Sequence, residues 1–250
     1  MTSFHTFGES HADWGWNRIP GIKCHSTPSK LAYSVGRDGI NVLNISRPEF
    51  EVNQGDSVMF IFGEIDCSCH VHKYIREDFT YKQVIETIVE MYVNTIKINA
   101  VLIPNLKIHI CSITPAVEKG KVLFEQSDSG RTWLIHRFLG TDEERKTYVK
   151  HFNDCLREKC VENNYTFIDI HDKYCDGNGF LNRSLSCPSV HISDPVYIIE
   201  YLNENNILKI DTSAPQCPSC KSYHVIAENI ENKTYRCVHN QDGRICNMYW

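Results

Sequence analysis

The sequence predicts an α/β protein built on a parallel sheet covered on both faces, and three observations carry that expectation. Short β-prone apolar runs recur along the chain. Between them lie longer segments whose apolar residues fall at three- and four-residue spacing, as in helices with one buried face. The clearest run, Ser57-Val58-Met59-Phe60-Ile61-Phe62-Gly63, is continuously apolar rather than alternating, as a strand covered on both sides must be. Strands alternating with helices favour parallel pairing, because a parallel crossover needs a helix-length connection.

Residues 3–8 read as the first strand, ending at Gly8, with Ser10 directly after it. Ile19-Pro20-Gly21-Ile22 leads into a second extended run through Cys24. A short helix is expected over 29–38 and a short apolar element at Val42-Leu43-Asn44-Ile45. After the strand at 57–63 comes the clearest helix, 79–98, with Val84, Ile88, Met91, Tyr92, Thr95 and Ile96 on one face. The next strand, 106–113, is stopped by Thr114-Pro115. The polar segment 116–140 is long for a connection, which suggests a lid or substrate-contacting loop. Thr141 can cap a second long helix, with Glu144 at the capping-box position and Val149, Phe152, Leu156 and Cys160 inward. Phe167-Ile168-Asp169-Ile170 is the last short strand, and Asp194 begins a final amphipathic helix reaching about Leu208. Composition changes near Thr212-Ser213-Ala214-Pro215, dividing the chain into a domain over 1–212 and a cysteine-bearing segment over 213–250.

Composition bounds the function. A chain of 250 residues can bury a full core, and its formal net charge of -5 argues against a nucleic-acid coat or a basic membrane-surface protein. No apolar run reaches membrane-spanning length, and the first residues lack the basic-then-apolar pattern of a secretory signal, so a cytoplasmic protein is expected. Twelve cysteines spread over so long a chain suit a reducing compartment in which some of them bind metal.

In an open α/β sheet, functional groups gather where strands end. The first strand end offers Ser10. The second offers Gly63-Glu64-Ile65-Asp66-Cys67-Ser68-Cys69-His70-Val71-His72, and a late segment offers Ser189-Val190-His191-Ile192-Ser193-Asp194. A hydroxyl delivered beside backbone N–H groups, with an imidazole as base, suits acyl transfer. A plain turn at Gly8 with Ser10 as a helix cap is the competing reading. Glu64 and Asp66, at a strand end, are candidates to bind substrate hydroxyls or to orient a histidine, or simply to cap a turn. The Cys67–His72 cluster tempts a metal reading, but in an extended segment its side chains alternate between faces, so no single face offers four ligands.

Phe7-Gly8-Glu9-Ser10-His11, then Gly63-Glu64-Ile65-Asp66-Cys67-Ser68-Cys69-His70, then Ser189-Val190-His191-Ile192-Ser193-Asp194, with Tyr174–Leu181 ahead of the histidine, form ordered blocks. In these blocks the chain resembles the SGNH/GDSL hydrolase family, in a branch with FGDSH-like and GEIDCRCH-like motifs, over about residues 3–208. The resemblance implies a three-layer α/β/α, flavodoxin-like fold and hydrolysis of esters, often acyl or acetyl groups on carbohydrates. Ser10 matches the family nucleophile and His191 its base. Glu9 replaces the family's usual Asp, and Ser68 replaces the Arg that this branch often carries. The oxyanion glycine is missing near His25-Ser26-Thr27-Pro28, and Ile65 replaces the oxyanion Asn. Cys187 and Pro188 occupy the stretch where an Asp precedes the histidine, leaving a Ser-His dyad oriented by a backbone carbonyl or by Asp194.

In the tail, Cys217-Pro218-Ser219-Cys220 is followed after sixteen intervening residues by Cys237, and after eight more by Cys246. The pattern resembles a zinc ribbon with a stretched second knuckle. Structural zinc on Cys217, Cys220, Cys237 and Cys246 is the expectation, with His239 as a substitute ligand and a disulfide or free thiols as the competing outcome. Four Lys/Arg against three Asp/Glu over 217–246 make a nucleic-acid partner less expected than protein contact or packing on the main domain. Three functions follow: a serine esterase acting on an acylated small molecule or glycan, a binding module that keeps the pocket without turnover, and a zinc-ribbon adaptor.

Overall fold

The computed structural model describes residues 2–122, 138–212, 215–229, 234–241, 244–246 and 248. Five parallel strands form the central sheet: β1 (Phe4–Gly8), β2 (Ile22–Ser26), β3 (Ser57–Ile61), β4 (Lys107–Cys111) and β5 (Thr166–Ile168), in the order β2-β1-β3-β4-β5. This is the flavodoxin-like order, and it reverses direction at β1 and β3. Gly8 pairs with both Ser26 and Ile61, so the carboxyl ends of β1, β2 and β3 finish level. A side chain at Gly8 would run into the Ile61 carbonyl and into Ala12 Cβ, so this close approach requires glycine.

Alternation along β3 sorts the core. Val58 and Phe60 join one buried cluster with Val35, Val89, Tyr92, Phe152 and Leu156. Met59 and Ile61 face a second, with Phe4, Trp16, Ile168, Tyr174, Ile198 and Leu202. Helices α1 (Ala32–Asp38), α4 (Tyr81–Leu102) and α5 (Asp142–Asn163) supply the first layer, and α6 (Val196–Glu204) supplies the second. Each side of the sheet thus has its own apolar layer.

Local signals set most helix starts. Thr141 and Glu144 form the expected capping box, with Glu144 Oε2 accepting from Thr141 N at 2.7 Å. Thr80 and Gln83 make a second box, and α4 runs four residues past the expected end at 98. The final helix is shorter than expected. It begins at Val196, with Asp194 Oδ1 accepting from Val196 N at 3.1 Å, and ends at Glu204. Residues 42–45 form no regular element, although Leu43 and Ile45 are buried. The expected lid over 116–140 lies largely outside the described residues.

The segment after β3 needs a correction. It is helical, as α2 (Glu64–Cys69) and α3 (Val71–Tyr74), not extended. Cys67 packs in the first core layer, and Ser68 Oγ donates to Glu64 Oε1 one turn back at 2.5 Å. Gly63 allows the abrupt turn from strand to helix: its φ is +130°, and Phe152 Cε1 lies 2.5 Å from where a Cβ would stand. A short apolar run followed by Gly reads alike for a strand end and a helix start, and only this packing decides it.

Beyond residue 212 the chain forms two small antiparallel pairs. The strands are β6 (Val225–Asn229) with β7 (Thr234–Cys237), and β8 (Asn240–Gln241) with β9 (Arg244–Ile245). This segment leans on the main sheet's flank. Tyr223 N donates to the Arg18 carbonyl at 3.0 Å, and Gln216 Nε2 donates to Asp194 Oδ1 at 2.8 Å.

Candidate active site and cysteine cluster

Ser10 opens a single 3-10 turn, Ser10–Ala12, rather than an α-helix. Thr6 Oγ1 donates to the Ala12 carbonyl at 2.7 Å and ties this turn back onto β1. The late loop approaches from the opposite side. A bridge between Ser186 and Ile192 and a hydrogen bond from Cys187 N to the His191 carbonyl at 2.9 Å fold residues 186–192 into a tight hairpin. Arg183 Nη1 donates to the Ser189 carbonyl at 2.7 Å and braces its tip.

The two loops meet at one point. His191 Nε2 lies 2.8 Å from Ser10 Oγ, although 181 positions separate them in sequence. Trp14 stacks on the imidazole with centroids 4.9 Å apart and planes 10° apart, which fixes the ring's plane. Ser10 Oγ also lies 3.2 Å from Glu9 Oε2. A hydroxyl has one proton to give, and the shorter contact is to the imidazole.

Beneath Ser10 is a buried acidic pocket that sequence reading missed. Glu9 is fully buried, and His11 Nε2 sits 4.0 Å from its Oε2 and 3.7 Å from Glu64 Oε2. Burial pushes the Glu9 carboxyl up to about 7, against the pull of His11. Burial also opposes a charge on His11, but the Glu9 and Glu64 carboxyls outweigh it and raise that imidazole's pKa. The signal was present as two acidic residues flanking Ser10 and opening α2, yet nothing in their spacing places them around one histidine.

The other candidates are distributed differently. Asp66 is engaged by backbone. Its two oxygens accept from Ala32 N at 2.7 Å and Tyr33 N at 3.1 Å, closing the amino end of α1. Burial nevertheless pushes it up to about 6. Asp194 turns its carboxylate toward Val196 and Gln216, and the atom facing His191 Nδ1, at 3.4 Å, is Cys187 Sγ. Glu64 lies at the pocket through His11.

The four tail cysteines converge. Cys217 Sγ is 3.8 Å from Cys246 Sγ, Cys220 Sγ is 3.5 Å from Cys237 Sγ, and all four sulfurs lie within 4.8 Å of one another. A tetrahedral zinc with bonds of about 2.3 Å needs sulfur–sulfur edges of about 3.8 Å, so the set fits that ion. The stretched second knuckle closes because β8 and β9 turn Cys246 back, its N–H donating to the His239 carbonyl at 2.9 Å. His239 is not one of the cluster; its ring stacks on His224.

No protein-family model matches the chain, and no curated protein matches it. Solved structures do. At 14% identity and a TM-score of 0.55, the chain is similar to a Streptococcus pneumonia protein described as a candidate platelet activating factor, over 82% of this chain and 83% of that one. A GDSL-like lipase from Bacteroides thetaiotaomicron matches at 12% identity and a TM-score of 0.50, covering 82% and 87%. The fold is that of the GDSL-like hydrolases. An extracellular lipase from Streptomyces rimosus matches at 10% identity with the same TM-score of 0.50, covering 82% of this chain and 99% of that one. Among the described residues, no helix is long and apolar enough to cross a membrane.

Proposed function

We propose that the chain is a serine ester hydrolase in which Ser10 is the nucleophile and His191 the base. The observation that carries this reading is the 2.8 Å contact between Ser10 Oγ and His191 Nε2 at the carboxyl edge of the sheet. As Oγ attacks the ester carbonyl, its proton passes to Nε2. The tetrahedral oxyanion falls beside the Ser10 backbone N–H, since His11 N donates to Glu9 Oε2 and Ala12 N to the Glu9 carbonyl, and the imidazolium then protonates the departing alcohol. Water repeats the sequence on acyl-Ser10 and regenerates the hydroxyl. Removal of acyl or acetyl groups from a carbohydrate is the finer reading, and it rests on the motif resemblance alone.

The same proposal assigns residues 1–212 to catalysis and 213–250 to a zinc-ribbon-like segment, with Cys217, Cys220, Cys237 and Cys246 holding a structural zinc. Twelve cysteines without a disulfide among the described residues suit a reducing, cytoplasmic setting. Ile65, standing where an oxyanion Asn is expected, favours one second reading, an acyl-carbohydrate-binding module without turnover.

p-Nitrophenyl acetate hydrolysis separates the two. The esterase reading expects turnover above background that falls at least about 1,000-fold in Ser10→Ala and in His191→Ala. It also expects a fluorophosphonate adduct whose mass maps to Ser10. Absence of both turnover and adduct in a folded, zinc-loaded protein overturns it.

A further inference from the structure

We propose that Cys187 is the positioning residue for His191, taking through its sulfur the place that a carboxylate holds in a Ser-His-Asp array. The inference rests on the esterase reading for its catalytic meaning, but the geometry stands by itself. Two backbone N–H groups and one ring nitrogen converge on one sulfur: the His191 backbone N at 3.4 Å and the Ser189 backbone N at 3.3 Å donate to it, and His191 Nδ1 lies 3.4 Å away. These are ordinary distances for hydrogen bonds to sulfur, and the two backbone donors already mark the sulfur as an acceptor. Cys187 is 7% exposed, so the sulfur meets these donors rather than water.

A sulfur that accepts at Nδ1 selects one tautomer. An imidazole whose Nδ1 carries the proton toward an acceptor leaves Nε2 with a lone pair, and Nε2 is the atom that faces Ser10. Trp14 holds the plane of the ring, but a stacking contact does not distinguish the two ring nitrogens. The hairpin makes the pairing rigid, since Cys187 N donates to the His191 carbonyl at 2.9 Å on the adjoining backbone. Pro188 occupies the turn between them and limits its freedom. The neighbouring chain is anchored separately, with Ser193 N donating to the Leu185 carbonyl at 2.9 Å and the Arg18 guanidinium donating to the Ser193 carbonyl. Histidine and sulfur are thus held in register by backbone bonds that do not involve the sulfur as well as by the two N–H groups that donate to it.

The test uses the full-length zinc-loaded protein and three variants: Cys187→Ala, Cys187→Ser and Cys187→Asp. Two readouts are taken, kcat and KM for p-nitrophenyl acetate and the tautomer of His191 from ring-nitrogen NMR. Melting temperature screens for misfolding. In wild type, His191 is expected as the Nδ1–H tautomer. Cys187→Ala is expected to mix the tautomers and lower kcat by about 10- to 100-fold with KM within about twofold. Cys187→Asp, which restores an acceptor, is expected to keep the Nδ1–H tautomer and recover most of kcat, with Cys187→Ser between the two.

A folded Cys187→Ala protein with an unchanged tautomer and unchanged kcat overturns the proposal. So does a loss of kcat that Cys187→Asp and Cys187→Ser fail to reverse while the tautomer stays fixed, since that is a merely structural effect. If wild type shows no Ser10-dependent turnover yet the tautomer follows the residue at 187, the hydrolase reading fails and the positioning role stands. If turnover depends on Ser10 and His191 but neither readout responds to position 187, the reverse holds.

Discussion

Replacing Glu9 with glutamine should change how stability depends on pH more than stability itself at any single acidic pH. Glu9 is fully buried, and its carboxyl is pushed from the ordinary 4.5 up to about 7. The folded chain therefore keeps a proton on Glu9 through a range in which the unfolded chain has released it. Stability falls with rising pH wherever the unfolded state binds fewer protons, so the loss begins near pH 4.5 and is complete above pH 7. At about 1.4 kcal/mol for each pH unit between the two pKa values, the full effect is about 3 kcal/mol, most of it between pH 5 and 8. Asp66, pushed up to about 6, acts in the same direction and remains in the variant, whereas His11, raised in part by Glu9, loses that part in E9Q. Urea unfolding of wild type and E9Q, measured from pH 5 to pH 8.5, gives the contribution of Glu9 together with the share of His11 that depends on it. The variant's curve should be flatter by about 2–3 kcal/mol over that interval. Parallel curves would refute the reasoning, because they would mean that Glu9 ionises alike in the folded and unfolded chain.

Asp66→Ala removes the acceptor for two backbone N–H groups at the buried start of α1 and should cost about 2–4 kcal/mol in urea unfolding, without requiring a change in KM. Zinc analysis of the purified protein should find about one ion per chain, absent after Cys217→Ser. Chelation should lower the melting temperature and raise hydrogen exchange over residues 185–194, because Gln216 and Tyr223 tie the cysteine segment to Asp194 and Arg18. Chelation without any shift in either measurement would argue against a metal that supports this face.

The layered fold was legible because each layer is written locally. A continuously apolar strand at 57–63, an apolar stripe through 84–96 and the Thr141–Glu144 cap depend on neighbours within a turn or two. The extended expectation over 67–72 fails for the same reason. Glycine followed by mixed polar and cysteine residues fits an extended chain as well as a helix, and the choice came from Gly63 packing under Phe152. The proximity of Ser10 to His191 could be expected only by matching ordered motifs, since 181 positions separate them.

By itself, the sequence determined the alternation of strands and helices, the caps of the long helices and the stock of reactive side chains, all set by short-range propensity and periodicity. Tertiary structure alone decided that Asp66 closes a helix, that Glu9, His11 and Glu64 share one buried pocket, and that a cysteine faces the outer edge of His191. Those assignments depend on which distant backbones the sheet order brings together, and on how completely it buries them.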